Sequence, residues 1–254
     1  MQPSEAGPDD RLRALEAWAE QQLGTQVTGE PVSTDAGFRR YFRFRLPERT
    51  LIAMDAPPDK EGTDAFVRVA ELFAGAGLHV PEILARDADN GFVLLTDLGE
   101  RTWLEILNED NAGERFPRAI EAVLRLQSAS RPGVLPDYDE SLLQRELALF
   151  PDWYLQRHLG LTVQGELRAA LDRVFDLLVE HARGQGQVWV HRDFMPRNLM
   201  DTDPDPGVID FQDAVEGRGL DLLFQRVQLI IRQDHIGQVR VDHELHHLAV
   251  VAEH

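Results

Sequence analysis

The spacing of apolar residues changes period several times along this chain. Leu12, Leu15, Trp18, Ala19 and Leu23 recur at helical intervals between acids and glutamines, predicting a helix over 11–23. A loop with Gly24 and Gly29 follows. Tyr41-Phe42-Arg43-Phe44-Arg45-Leu46 then alternates, which predicts a strand with one solvated face. After the Pro47-Glu48-Arg49 turn a second strand runs from Leu51 to Met54. A helix is predicted over 63–76, ended by Gly77. His79 to Leu84 then leads through the Asp89-Asn90-Gly91 turn to a strand from Phe92 to Leu95. A small sheet crossed by a helix accounts for this first part.

From Asp97 the pattern switches to helical spacing. Trp103 to Leu107, Phe116 to Ser128, Leu142 to Leu159 and Glu166 to Arg183 each read as a helix. Val188-Trp189-Val190 reads as a strand, Leu199-Met200 begins another, and Val208-Ile209 resumes one after the turn residues 201–207. The order implies an α+β chain with a strand-rich lobe over 1–95, a hinge at 96–99 and a mostly helical lobe over 100–254. Trp103, Trp153 and Trp189 are expected in the core of the second lobe, and Trp18 anchors the first helix. No internal repeat or low-complexity tract is visible.

His191-Arg192-Asp193, then Asn198, then Ile209-Asp210-Phe211 carry the chemistry. Asp193 and Asn198 have the spacing H-R-D-x-x-x-x-N, and Asp210 follows a short turn. A loop feeding a hairpin can bring the three to one mouth. Phosphoryl transfer needs a carboxylate to orient the acceptor hydroxyl and take its proton, and hard oxygen ligands for Mg2+. Asp193 suits the first role; Asn198 and Asp210 suit the second. His191 fits a loop brace. Asp213 fits either a contact to acceptor hydroxyls or a helix cap.

Composition narrows the field. The chain has 254 residues, 43% of them hydrophobic, enough for one large domain or two lobes. Against 26 basic residues stand 44 acidic ones, a formal charge of −18, which disfavours nucleic acid and anionic membranes as partners. A nucleotide must therefore meet locally placed basic groups. There is no cysteine, hence no disulfide or thiol chemistry. Residues 1–10 lack the features of a signal peptide, and no apolar run is long enough to cross a bilayer. A cytoplasmic enzyme is expected, with its oligomeric state open.

The stretches 191–200 and 209–214, with Gly77-Leu78-His79-Val80-Pro81 and Leu94-Leu95-Thr96-Asp97-Leu98-Gly99, resemble the aminoglycoside phosphotransferase and choline kinase superfamily. Asp35-Ala36-Gly37-Phe38-Arg39-Arg40-Tyr41-Phe42-Arg43 and Met54-Asp55-Ala56-Pro57-Pro58 bring the resemblance closer to the bacterial anomeric sugar kinases of cell-wall recycling, over about residues 11–217. The resemblance implies a protein-kinase-like two-lobed fold, ATP and Mg2+ as cofactors, and an N-acetylated amino sugar phosphorylated at its anomeric hydroxyl. It implies Asp193 as catalytic base, Asn198 and Asp210 as metal ligands, and Asp213 on the substrate. It also places Gly37, Phe38, Arg39, Arg40, Met54, Leu95, Thr96, Asp97 and Leu98 on the nucleotide, the loop 35–40 over its phosphates. From residues alone that loop reads equally well as a turn with solvated arginines.

Two departures from the family pattern stand out. No lysine lies on the strand Leu51 to Met54, and Phe66 occupies the helix position matched to its glutamate partner. Arg39, Arg40 and Arg43 are candidate replacements for the lysine; Glu71 is the alternative acid. The tail beyond Gly217 does not resemble the helices that build the sugar pocket in such kinases, so a truncated or altered end is expected. Three other readings remain open: an aminoglycoside or other small-molecule kinase, an inactive nucleotide-binding pseudokinase, and a zinc hydrolase built on His243-Glu244-Leu245-His246-His247.

Overall fold

The computed structural model describes residues 8–34, 38–184 and 186–218. The His243–His247 motif lies outside them, as do Gly37 and the tail beyond Arg218. The chain forms two compact units, one comprising Met1–Arg131 with His191–Val215 and the other Pro132–Val190 with Glu216–His254.

In the first unit, helix α1 (Pro8–Leu23) lies on a five-stranded antiparallel sheet of order β1-β2-β3-β5-β4. The strands are β1 (Glu30–Thr34), β2 (Arg40–Arg45), β3 (Thr50–Asp55), β4 (Ile83–Asp87) and β5 (Phe92–Thr96). Register places Phe42 opposite Ala53, Phe44 opposite Leu51, and Ala53 opposite Leu94. With Phe92 these side chains form one face, which buries Leu15 and Ala19 of α1 and carries Leu12, Trp18 and Leu23 at its margin. Each large apolar side chain so buried contributes about 1.5–3 kcal/mol. Tyr41, Arg43, Ile52 and Met54 alternate to the opposite face.

The strand β2 departs from the expected pattern. Phe42, Arg43 and Phe44 are all buried, so it has no fully solvated face. The cause is electrostatic: Arg43 is buried with Asp97 as its partner.

Helix α2 (Asp64–Gly75) buries Phe66, Val69, Ala70 and Phe73, the i, i+3, i+4, i+7 stripe that its sequence dictates. It stops in a Schellman motif: Leu78 N–H donates to the Phe73 carbonyl at 3.0 Å and Gly77 N–H to that of Ala74 at 2.9 Å. Gly77 adopts φ +81°, which a side chain would oppose. Gly91 is a second required glycine, since a Cβ there would lie 1.8 Å from the Ala56 carbonyl oxygen.

Helices α3 (Trp103–Ile106) and α4 (Glu109–Ser128) complete this unit together with the loop 191–198 and the hairpin of β7 (Leu199–Met200) and β8 (Gly207–Val208). The hairpin turn is rich in acids, and those acids hold it in place. Asp205 accepts from Trp103 Nε1 at 2.8 Å, Arg118 at 3.0 Å and Arg115 at 3.2 Å, while Arg115 also reaches Asp201 at 2.9 Å. These charge-assisted bonds tie α3 and α4 to the hairpin that carries Ile209 and Asp210.

The second unit contains α5 (Glu140–Leu149), a π-helical segment (Phe150–His158), α6 (Gly165–Arg183) and the two-stranded pairing of β6 (Gln187–Val190) with β9 (Val215–Arg218). The single helix expected over 142–159 is thus broken in character at Phe150. Pro151 is the physical reason, because it lacks an N–H and its ring clashes with the carbonyl four residues back, so the regular α-helical ladder cannot run through it. Trp153 also departs from expectation. It is 39% exposed, and the Arg157 guanidinium covers its ring at 4.1 Å. Trp103 and Trp189 are buried as expected.

Candidate active site

β6 ends at Val190, and the chain turns at once into the loop that carries the candidate catalytic residues. Arg192 takes φ 73° and Asp210 φ 60°, the left-handed region that costs a residue with a side chain on the order of 1 kcal/mol. They are the only such non-glycine residues among those described, and both lie at the predicted site.

Asn198 organises the loop. Its Nδ2 donates to the Asp193 carbonyl at 2.9 Å and to Asp210 Oδ2 at 3.2 Å, and its own backbone carbonyl accepts from Ile209 N–H at 3.1 Å. One buried amide therefore joins the loop, the hairpin and the second acid. Asp193, Asn198 and Asp210 are brought together as their spacing suggested. Gln212 joins them: its Nε2 donates to Asp210 Oδ1 at 2.9 Å, so both carboxylate oxygens are held by side-chain amides.

His191 braces the loop from beneath. Nε2 meets the Ile209 carbonyl at 2.9 Å, and Nδ1 accepts from Asp193 N–H at 3.3 Å. A ring that accepts at Nδ1 and donates at Nε2 is the neutral tautomer. Burial agrees, pushing the imidazole below its ordinary value; the Ile209 carbonyl and the charges of Asp210 and Asp193 oppose this without reversing it.

The floor of the site is aromatic. Phe211 is fully buried, 5.0 Å from Phe66 and 5.7 Å from Phe73, while Phe73 lies 6.0 Å from the His191 ring. Helix α2 is thus docked to the Asp210 segment by ring packing. Glu71, the alternative acid, points to solvent. The sequence signals for this floor were the buried stripe of α2 and the Phe after Asp210, but nothing in the sequence paired them.

The remaining predicted residues are distributed around the sheet. Met54 is fully buried on the face away from α1. Phe38 is 60% exposed, with the Lys60 ammonium 5.8 Å over its ring. Arg39 pairs with Glu61 at 3.2 Å. Arg40 and Arg11 grip the fully buried Asp55 from both sides, with Nε distances of 3.1 and 2.9 Å. Leu95 and Leu98 are buried, and Thr96 bonds through both N–H and Oγ1 to the Glu82 backbone. Asp97 accepts from Arg43 Nε at 2.6 Å and Nη2 at 3.1 Å, and from Gly99 N–H at 2.9 Å. Burial alone would raise the Asp97 carboxyl, but Arg43, the Thr50 hydroxyl and the Gly99 N–H together hold it below the usual carboxylate range. Asp213 is exposed and precedes β9, so it caps no helix; its carbonyl accepts from Arg192 Nη1 at 3.4 Å.

Comparison with known proteins agrees with this arrangement. The profile of the phosphotransferase enzyme family matches residues 28–222. An N-acetylmuramate/N-acetylglucosamine kinase of Pseudomonas aeruginosa is 50% identical over 220 residues, covering 82% of this chain and 65% of that one. A protein of the same name from Neisseria meningitidis is 42% identical over 191 residues, 73% of this chain and 56% of the other. The chain thus spans about two thirds or less of the length of these relatives. Among solved structures, a thermostable mutant of an aminoglycoside phosphotransferase superposes with TM-score 0.58 at 19% identity, over 86% of this chain and 80% of that one. A choline/ethanolamine kinase family protein of Mesorhizobium loti gives 0.53 at 15%, over 89% and 78%. These superpositions establish the α+β, protein-kinase-like fold. With three quarters of its length matched by one profile and 50% identity to a named relative over 220 aligned residues, the chain belongs to the phosphotransferase enzyme family.

Proposed function

We propose that this chain moves the γ-phosphoryl group of ATP to the anomeric hydroxyl of an N-acetylated amino sugar, N-acetylmuramate or N-acetylglucosamine, in cytoplasmic cell-wall recycling. The observation that carries the reading is the convergence of Asn198 Nδ2 on the Asp193 carbonyl and the Asp210 carboxylate. The choice of acceptor is supported by the relative at 50% identity that bears this name.

Asp193 is the base in this reading. It orients the sugar hydroxyl and takes its proton as the oxygen attacks phosphorus, which contributes about 10²–10⁴ in rate. Asn198 and Asp210 would hold Mg2+, and the donor set fits that ion. The amide nitrogen of Asn198 is engaged by two acceptors, which leaves its oxygen for a metal, and Asp210 adds a carboxylate; both are hard ligands. When bound, Mg2+ neutralises charge on the transferring group.

Residues 1–95 serve as the nucleotide lobe, 96–99 as the hinge and 100–254 as the catalytic lobe. In this reading the loop 35–40 serves the phosphates, Met54 and the backbone of Leu95 to Leu98 take the adenine side, and the exposed Asp213 meets the sugar. No helix among the described residues is long and apolar enough to cross a membrane.

The test is ADP release by this chain against a panel of N-acetylmuramate, N-acetylglucosamine, aminoglycosides and choline. Turnover with the two sugars and loss of their reducing-end reactivity is the expected result, because a phosphate on the anomeric oxygen blocks ring opening. Turnover with an aminoglycoside or choline alone overturns the acceptor, and no turnover with any of them overturns the reading.

A further inference from the structure

Arg39 and Arg40 are adjacent in sequence and opposite in environment. Arg40 is committed to Asp55, whose carboxylate is also gripped by Arg11, and the donors there meet their acceptor along good hydrogen-bond directions. Arg39 faces Glu61, in the segment between β3 and α2, with Nε 3.2 Å from Oε2. The two side chains are 15% and 30% exposed. Arg39 Nε and Glu61 Oε2 are both closed off from solvent, yet neither makes a hydrogen bond. Charge attraction holds this pair and directional bonding does not.

Such a pair is poorly compensated. Desolvating two charges is repaid only when their hydrogen bonds are also made, and a buried polar atom without one calls for an explanation. The rest of the sheet sharpens the point. The strand Leu51 to Met54 carries no lysine, and Arg43 is engaged by Asp97. A chain of charge −18 that receives a polyanion needs a local cation for it.

We propose that Arg39 is the residue that takes the distal phosphates of the nucleotide, and that Glu61 occupies its guanidinium until they arrive. This rests on the phosphotransferase reading above and goes further, assigning a stand-in for the absent lysine and a competitor for it. A phosphate offers a guanidinium two parallel acceptors in plane, the match that Glu61 does not provide. Glu61 is thus displaced on binding, and its charge sets how tightly nucleotide is held.

Calorimetric titration of the full chain with ADP and, separately, with adenosine tests this. Glu61→Gln keeps the shape and removes the charge; it is expected to tighten ADP about threefold or more and leave adenosine unchanged. Arg39→Ala is expected to weaken ADP about tenfold, Arg39→Lys less, and Glu61→Gln to lose its effect in the Arg39→Ala background. ADP affinity indifferent to Glu61→Gln overturns the proposal, as does equal tightening of ADP and adenosine. Should Arg39→Ala fail to fold, the Glu61→Gln titrations alone decide. Wild-type chain that binds no ADP overturns the phosphotransferase reading and this proposal together, whereas nucleotide binding that ignores both residues overturns this proposal alone.

Discussion

Phe66 of α2 and Phe211, the residue after Asp210, meet with ring centroids 5.0 Å apart. The sequence matches Phe66 to the glutamate of a kinase ion pair, and the strand Leu51 to Met54, where its lysine is expected, carries none. Losing both partners together avoids a lone buried charge, and apolar packing of similar volume is often as stable as the pair it replaces. Phe66 is 4% exposed and Phe211 fully buried. Phe66→Ala is therefore expected to destabilise the chain by about 3–5 kcal/mol, read from chemical denaturation. Phe66→Leu retains most of the volume and is expected to cost far less. Equal stability of wild type and Phe66→Ala rejects the docking role of this contact.

Asp193 is tied to Asn198 through its backbone carbonyl, which leaves its carboxylate uninvolved in that bond. Truncating the side chain leaves the carbonyl that accepts from Asn198 in place. Asp193→Ala is expected to lower kcat by about 10²–10⁴ while the affinity for nucleotide stays near the wild-type value. Turnover near the wild-type rate in this variant rejects Asp193 as the base.

The contrast between these residues shows what a sequence makes visible. The candidate site loop was legible because its information is local: Asp193, Asn198 and Asp210 lie within a short stretch, and loop and hairpin geometry follows from turn residues between short strands. Arg43 was misjudged because alternation predicts solvation from the residue's own polarity. Its burial depends on Asp97, a partner 54 positions away. The Phe66–Phe211 contact and the Arg39–Glu61 pair are hidden for the same reason. Trp153 fails differently. Apolar character suggested a core position, but an arginine four residues on can cover a tryptophan face at the surface. The π-helical segment was legible in principle, since Pro151 lies inside the predicted helix.

The Arg43–Asp97 pair links pH to stability. The folded Asp97 carboxyl is held below the usual range, so the folded state binds its proton less readily than the unfolded chain does. Stability from this group is complete above the ordinary Asp value of about 3.9 and is lost as pH falls from there through the lowered folded value. Asp97→Asn is expected to be less stable than wild type at neutral pH, with the difference shrinking under acid as wild type loses the same interaction. Thermal unfolding followed from neutral pH to below about pH 3 checks this. Parallel curves with a constant gap reject the linkage.

Gln212 lies within the stretch 209–214, but the sequence assigns it no role of its own. Asp210 adopts a left-handed backbone at φ 60°, and two amides hold its carboxylate, Asn198 at Oδ2 and Gln212 at Oδ1. Asn198 acts within the loop, whereas Gln212 acts only on the carboxylate's orientation. Groups that orient a metal ligand without touching the metal typically account for about 10–100-fold in metal affinity. Gln212→Ala is accordingly expected to raise the Mg2+ concentration needed for half-maximal nucleotide binding about tenfold or more, with little change in binding measured at saturating Mg2+. Gln212→Glu sets a second negative charge against Asp210 Oδ1, where the amide had donated a hydrogen bond. It disturbs the orientation more than truncation does, yet adds an anionic ligand that can draw the ion closer. The Mg2+ titration separates these effects: a half-saturation value above that of Gln212→Ala shows that repulsion governs, and one below wild type shows that the new carboxylate has itself become a ligand. A Gln212→Ala curve that overlies wild type rejects the orienting role.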